Sequence, residues 1–356
     1  MRRAGSSRAA AVAARERRVA SCLLALVSLA PAAVAADNGP PTSAPRAARA
    51  APPAAPADPL AGLLATGWDH LDQVNYPAAR ETFEEVLEAN PSRAQRAEAR
   101  FGLGHVWQHR RPGADVEKAA RLYRQVAEEF PDTPSGPLAL MALARLADAP
   151  EYEKARDRAK ARATYRKIIA RYPKQFIVHE AVLRLAMTYL EDLGDSQAAQ
   201  TGLAMLRDHL AAHPGNFLAA PMHLHSGTTH QRRGEFPDAV RHWIAADAAD
   251  QKAAETELTP KERSLPPRRR ANRVSRNRAM DSGTRASLYF RIARVAETKL
   301  RDHPLAVTWY ERIVYEIVRD NKYYVSKLSA ERCRKLAEQA GVDVPPHPLA
   351  GKEPRP

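Results

Sequence analysis

Two cysteines, Cys22 and Cys333, are all that 356 residues contain. A disulfide framework and a cysteine-based zinc site both need more thiols, the more so because Cys22 lies in a segment read below as removable. Glycine is sparse at 16 residues and aromatics make up only 6% of the chain. With valine and isoleucine also few, the material for several β-sheets is missing. The one compact apolar run at the start, Val19 to Ala33, is shorter than the ~20 residues of a membrane-spanning helix. Signatures of catalysis are absent too: there is no G-x-S-x-G, no H-E-x-x-H and no phosphate-binding loop. The carboxylates of "EDLGD" and "AEEFPD" stand in charged, turn-like contexts, not in the buried settings that shift a catalytic pKa. No enzyme and no cofactor is expected. What remains is alanine, leucine, arginine and glutamate, the composition of an all-α protein.

Residues 1–36 read as a targeting signal. Arg2, Arg3, Arg8, Arg15, Arg17 and Arg18 form a positive start, the apolar run follows, and Ala33-Val34-Ala35 with Ala36 offers small-residue cleavage sites. Export is expected, to a bacterial periplasm or the exterior. Val19-Ala20-Ser21-Cys22 resembles a lipoprotein cleavage box, but its apolar run follows the cysteine instead of preceding it, so a lipid anchor is not expected. An organelle transit peptide is the competing reading, and the compact apolar core speaks against it. Residues 37–58, "DNGPPTSAPRAARAAPPAAPAD", have little to bury and read as a disordered tether.

From Pro59 the periodicity is helical, and it repeats. One frame sets a small residue, an aromatic four later, a β-branched residue three after that and a proline five further on. It fits Ala79-Phe83-Val86-Pro91, Ala119-Tyr123-Val126-Pro131 and Ala161-Tyr165-Ile168-Pro173. A second frame places Gly104, Ala144, Ala186 and Gly227 thirteen residues after Pro91, Pro131, Pro173 and Pro214. Each unit is therefore a helix pair: a first helix with a small residue where a neighbour approaches closely, and a second that stops at proline.

This pattern resembles the tetratricopeptide repeat (TPR) family over residues 60–250, with an echo after 285. The unit is ~40 residues instead of ~34, the extra length lying in "QHRRPGADVEK" and "DAPEYEKARDR". That spacing is similar to exported bacterial members, the outer-membrane assembly lipoproteins and the Tol-Pal coordinator. The resemblance implies an all-α, TPR-like α-solenoid of five to six antiparallel helix pairs. In the fourth copy Gly202 and Leu206 replace alanine and aromatic, and in the fifth Gln251 replaces the proline. Residues 251–283 are expected as a basic disordered loop that breaks the array. Residues 284–342 follow as a sixth pair (Ala293, Ala306, Tyr310, Ile313) with a capping helix, and 343–356 as a disordered tail.

Three groups of residues could carry function. His223, His225 and His230 suggest a metal site, but seven residues separate the outer two by ~10 Å along a helix, and the repeat frame puts them on the packing face; no metal is expected. Arg268, Arg269, Arg270, Arg273, Arg276 and Arg278 form an anionic-surface candidate, for peptidoglycan or anionic membrane. Interleaved aromatics for base stacking are lacking, so nucleic acid is not an expected partner. The family resemblance implies a third group, since its first helices line a concave side that receives a partner's peptide or helix. Those positions here are Glu98, Phe101, His105, Gln108 and His109, then Met141, Arg145 and Asp148, then Glu180, Leu183, Met187 and Leu190, and finally Leu224, Thr228 and Gln231. The alternative for Phe101, Met141, Leu183 and Met187 is packing between units. The expected function is a non-enzymatic protein–protein interaction scaffold of the cell envelope, with anchoring through the arginine-rich loop as the alternative.

Overall fold

The computed structural model describes residues 58–110, 112–148, 156–192, 195–317 and 324–342. The segments expected as a targeting signal (1–36), a tether (37–58, up to Asp58) and a tail (343–356) lie outside these described residues. Among them every regular element is helical: α1 (Pro59–Asp72), α2 (Tyr76–Glu88), α3 (Arg93–His109), α4 (Val116–Glu129), α5 (Ser135–Asp148), α6 (Arg158–Arg171), α7 (Ile177–Leu190) and α8 (Ser196–Ala212). They are followed by α9 (Ala219–Arg232), α10 (Phe236–Thr256), α11 (Pro260–Arg263), α12 (Pro267–Asn277), α13 (Ser282–Val295), α14 (His303–Arg312) and α15 (Tyr324–Ala340). Wider π-type turns, Ala296–Leu300 and Ile313–Ile317, extend α13 and α14. The chain divides into two compact units, Met1–Thr164 and Tyr165–Pro356.

The repeat frame is the core. Ala79, Ala119, Ala161, Ala239 and Ala306 are fully buried, and so are Phe83, Tyr123, Tyr165, Trp243 and Tyr310 four residues on. Every second helix but α10, whose Glu235 makes no capping hydrogen bond, is started by a polar cap four residues before its alanine. Asn75 accepts from the Ala78 N–H, Asp115 from Lys118, Asp157 from Lys160, Asp195 from Ala198 and Asp302 from Leu305, which satisfies donors that a helix start leaves open. Each end is set by proline: Pro91, Pro131, Pro173 and Pro214 stand two or three residues beyond α2, α4, α6 and α8. The fifth copy shows what happens without one. With Gln251 in its place, α10 runs on for 21 residues to Thr256.

In the first unit, α3 packs on α1 and α2 on one side and on α4 and α5 on the other. The small residues of the first helices seat the aromatics of the second. Phe83 fills the space where a Cβ on Gly67 would lie, and Tyr123 does so at Gly104. In the second unit α7 pairs with α8, α9 with α10 and α14 with both α13 and α15. At Gly227 the Trp243 ring would lie 2.5 Å from an added Cβ. Helix α8 is the irregular member at 17 residues, with Ala199 counted from its cap and Gly202 counted from its proline both buried. One extra turn fits because Leu190, not an aromatic, lies against Gly202. The sixth pair buries Ala293, Ala306, Tyr310 and Ile313 in one core with Trp243, and α15 closes it with Cys333, Leu336 and Ala337. Burial pushes the Cys333 thiol up to about 11, so it is a packing residue.

Residues 251–283 are not the disordered loop expected from their charge. Their first six continue α10. Thr259 and Glu262 then cap α11 reciprocally, and Val274 of α12 packs with Ala254 and Leu258. Three apolar side chains and a capping box outweigh the charge repulsion because Arg278 is also internally neutralised. Arg278, assigned above to an anionic surface, is buried instead. Its Nε donates to Asp250 Oδ2 at 2.7 Å and its Nη2 to the Asp247 carbonyl at 3.0 Å and to the Asp247 carboxylate. Arg312 reaches Asp247 Oδ2 at 2.7 Å, and the Tyr289 hydroxyl donates to Asp247 Oδ1 at 2.8 Å. Burial works to raise the Asp247 carboxyl, and Arg278 and Arg312 together hold it below the usual range. The sequence could not show this, because the partners lie 28 and 31 residues upstream.

Two outcomes follow for stability. Gly227→Leu is expected to lose about 1–3 kcal/mol to overpacking against Trp243, read as a lower thermal midpoint by circular dichroism. Arg278→Met, which takes the guanidinium from buried Asp250 and leaves Asp247 with Arg312 alone, is expected to cost about 3–5 kcal/mol in urea unfolding, against under ~0.5 kcal/mol for the exposed Arg269→Met.

Candidate partner-binding surface

In the first unit the first-helix face is built on aromatic rings. Trp68 of α1 lies 6.0 Å from Phe101 and 5.7 Å from His105 of α3, centroid to centroid, and Phe101 lies 4.8 Å from His105. The Trp68 Nε1–H donates to Glu98 Oε1 at 2.9 Å. Burial raises the Glu98 carboxyl above its ordinary value against the opposing effect of that hydrogen bond. His105 is driven down to about 3, first by burial and then by His109 and Arg145, so the ring is neutral. Gln108 accepts from the Tyr123 hydroxyl at 2.9 Å, which fixes the next turn. Glu98, His105, Gln108, His109 and Arg145 are half-buried, as is Trp68. The result is an apolar floor with a polar rim, able to seat an apolar side chain while offering hydrogen bonds around it.

Several residues expected on that face are not presented by it. Phe101 and Met141 are buried at 7% and 2% exposure and belong to the floor and core. Leu183 and Leu190 of α7 are likewise buried in a cluster with Leu206 and Met222. Asp148 and Glu180 are buried too, Glu180 lying 3.4 Å from the Arg184 guanidinium. The reason is common to all: in a stacked array a first helix is covered by its own second helix and by the neighbouring pair, so only a narrow strip stays open. In the second unit that strip comprises Met187, Leu224, Thr228 and Gln231, all half-buried. Arg291 of α13 reaches Thr228 Oγ1 at 3.4 Å and stacks 5.4 Å over Trp243. Trp68 is the ring of this face that sequence reasoning did not name. Its signal was Gly67, which marks α1 as a first helix in the way that Gly104 marks α3.

Histidines seal the helix pairs of the second unit. His179 of α7 and His209 of α8 share a hydrogen bond of 2.8 Å between Nδ1 and Nε2, and the His213 ring lies 4.6 Å from that of His209. One pair later, His223 meets His242 at 3.0 Å between their Nδ1 atoms, His242 stacks on His230 at 5.2 Å, and His230 pairs with Glu235 at 2.6 Å. Burial, then the neighbouring imidazoles, lowers His209 and His242 to about 4. Among the described residues no group of three or more His, Cys, Asp or Glu is arranged to hold a metal ion. Nor is any described helix long and apolar enough to cross a membrane. Of the arginine group, Arg269, Arg270 and Arg273 are exposed on α12, while Arg268 and Arg276 occupy positions in the same helix.

Antiparallel helix pairs stacked through small-residue and aromatic contacts define an all-α repeat fold of the TPR-like α-solenoid class. Residues 139–174, from Ala139 of α5 through α6 to Lys174, match the family model described as "Tetratricopeptide repeat", and this segment is such a repeat. Among solved structures, the crystal structure of the yeast Tom70 is similar at a TM-score of 0.35 and 12% identity, over 81% of this chain. The chain spans 66% of that structure's length. No curated protein sequence matches the chain.

The histidine seams set a pH dependence. Their folded pKa values lie below the ordinary 6.5, so on acidification the unfolded chain takes up protons that the folded one refuses. Stability present above 6.5 is therefore lost as pH falls toward about 4. Scanning calorimetry across that window is expected to show a falling midpoint, with a shallower fall for His209→Phe.

Proposed function

We propose that this chain is a non-enzymatic protein–protein interaction scaffold of the bacterial cell envelope, which receives a peptide or helix of a partner protein on its first-helix face. The observation that carries the reading is the floor formed by Trp68, Phe101 and His105 under the rim of Glu98, Gln108 and His109. Aromatic anchors ringed by polar groups are what partner recognition uses. A neutral His105 makes such a face cheaper to desolvate than a charged ring would. The tetratricopeptide repeat at 139–174 supports a protein partner. The envelope setting rests on the arginine-rich start, apolar run and small-residue cleavage sites of residues 1–36.

A photoreactive amino acid placed at His109, and in a second variant at the exposed Glu128 of α4, tests the face directly in cells. Adducts with a second protein are expected from position 109 at several times the yield from 128, and competition by the isolated partner segment should remove them. Equal yields from both positions would count against the first-helix face as the binding surface.

A further inference from the structure

Charge is unevenly spread over the exposed helices, and the scaffold reading makes no use of it. The first pair, α1 and α2, exposes Asp69, Asp72, Glu81, Glu84, Glu85 and Glu88, and Arg80 is the only lysine or arginine within the two helices. Residues 81, 84, 85 and 88 follow the i, i+3, i+4, i+7 rule and stand in one strip, about 10 Å long at 1.5 Å per residue. Arg80 reaches Glu84 at 3.6 Å, which offsets one charge and leaves the strip strongly negative.

Of the opposite sign, α6 carries exposed Lys160, Lys167 and Arg171, and a compact arginine face stands on α12. Arg269, Arg270 and Arg273 are exposed there, with Arg263 exposed on α11. Arg273 lies 2.5 Å from Glu262, whereas Arg269 and Arg270 have no acidic partner among the described residues. The helix is held from beneath by Val274 and at its end by buried Arg278, so the arginine face is displayed on a fixed support. Arg269 and Arg273 stand one turn apart, and so do Glu81 and Glu85, and Glu84 and Glu88. Two strips of opposite sign, each short of counter-charge and each with the pitch of a helix, complement one another.

We propose that the chain associates head to tail with a second copy of itself, the acidic strip on α2 of one molecule lying along the arginine face of α12 of the next. Because the two patches differ, every molecule offers its neighbours both an acidic strip and an arginine face. Exposed ion pairs are individually weak, so association depends on concentration and is screened by salt, with the Debye length shrinking from about 10 Å at 0.1 M to about 3 Å at 1 M.

Sedimentation velocity of the full chain tests this. At low ionic strength the weight-average mass should rise with concentration, and it should fall to that of a single chain at high salt. A variant with Arg263→Glu, Arg269→Glu and Arg270→Glu should stay a single chain, as should one with Glu81→Arg, Glu84→Arg and Glu85→Arg. Mixing the two reversed variants should restore association, a result that misfolding of either cannot produce; circular dichroism confirms that both are helical. A single-chain mass at every salt and concentration overturns the proposal, and so does association that persists in either reversed variant alone. Co-sedimentation with phosphatidylglycerol vesicles that is lost in the arginine variant, from a chain whose mass never rises, overturns it in favour of a lipid surface.

Discussion

Everything in this fold depends on how closely a second helix can approach the first helix of its own pair, and that distance is set by what stands opposite an aromatic ring. Phe83 lies in the space left by Gly67, Tyr123 in that left by Gly104 and Trp243 in that left by Gly227. A larger residue at those positions would push the helices apart and open voids on both sides, because protein interiors have no slack to absorb the shift. The alanine one turn before the aromatic is fully buried in five of the pairs. The small residue, the ring and the alanine thus act together in the pairs of Phe83, Tyr123 and Trp243.

That contact was legible in the sequence because it is periodic and chemically extreme: few residue types satisfy it, and prolines mark where it resets. The surfaces were far less legible. A leucine or methionine on a first helix reads alike whether it faces solvent, its own second helix or the neighbouring pair, and Met141, Leu183 and Leu190 proved to be covered while Met187 stays partly open. Arg278 shows the same limit in reverse. Its neighbours in sequence are arginines of a solvated face, and only the return of the chain onto α10 brings it to Asp247 and Asp250. Local composition describes an average environment, and burial is decided by distant residues.

The two kinds of electrostatics in the molecule follow from that difference in environment. In the interior, charges and imidazoles gather where they pair with one another, as at Asp247 with its two guanidiniums or at the histidine seams of α7–α8 and α9–α10. On the outside, acids and arginines pair in places, as at Arg207 with Asp208 and Arg241 with Asp238, while the first pair stays mostly acidic and α12 mostly basic. Interior charge fixes which helices stay together. Exterior charge acts at a distance and decides what the molecule meets.

The polar caps that begin the second helices carry a consequence for how the chain reaches this structure. Asn75, Asp115, Asp157, Asp195 and Asp302 each bind an N–H two or three residues away, and the helices they start pack mainly on neighbours adjacent in sequence. Loop-closure entropy is therefore small for every step. Contact order is low, and folding can begin at any pair and spread outward. Such a chain acquires structure as segments become available, without waiting for its far end.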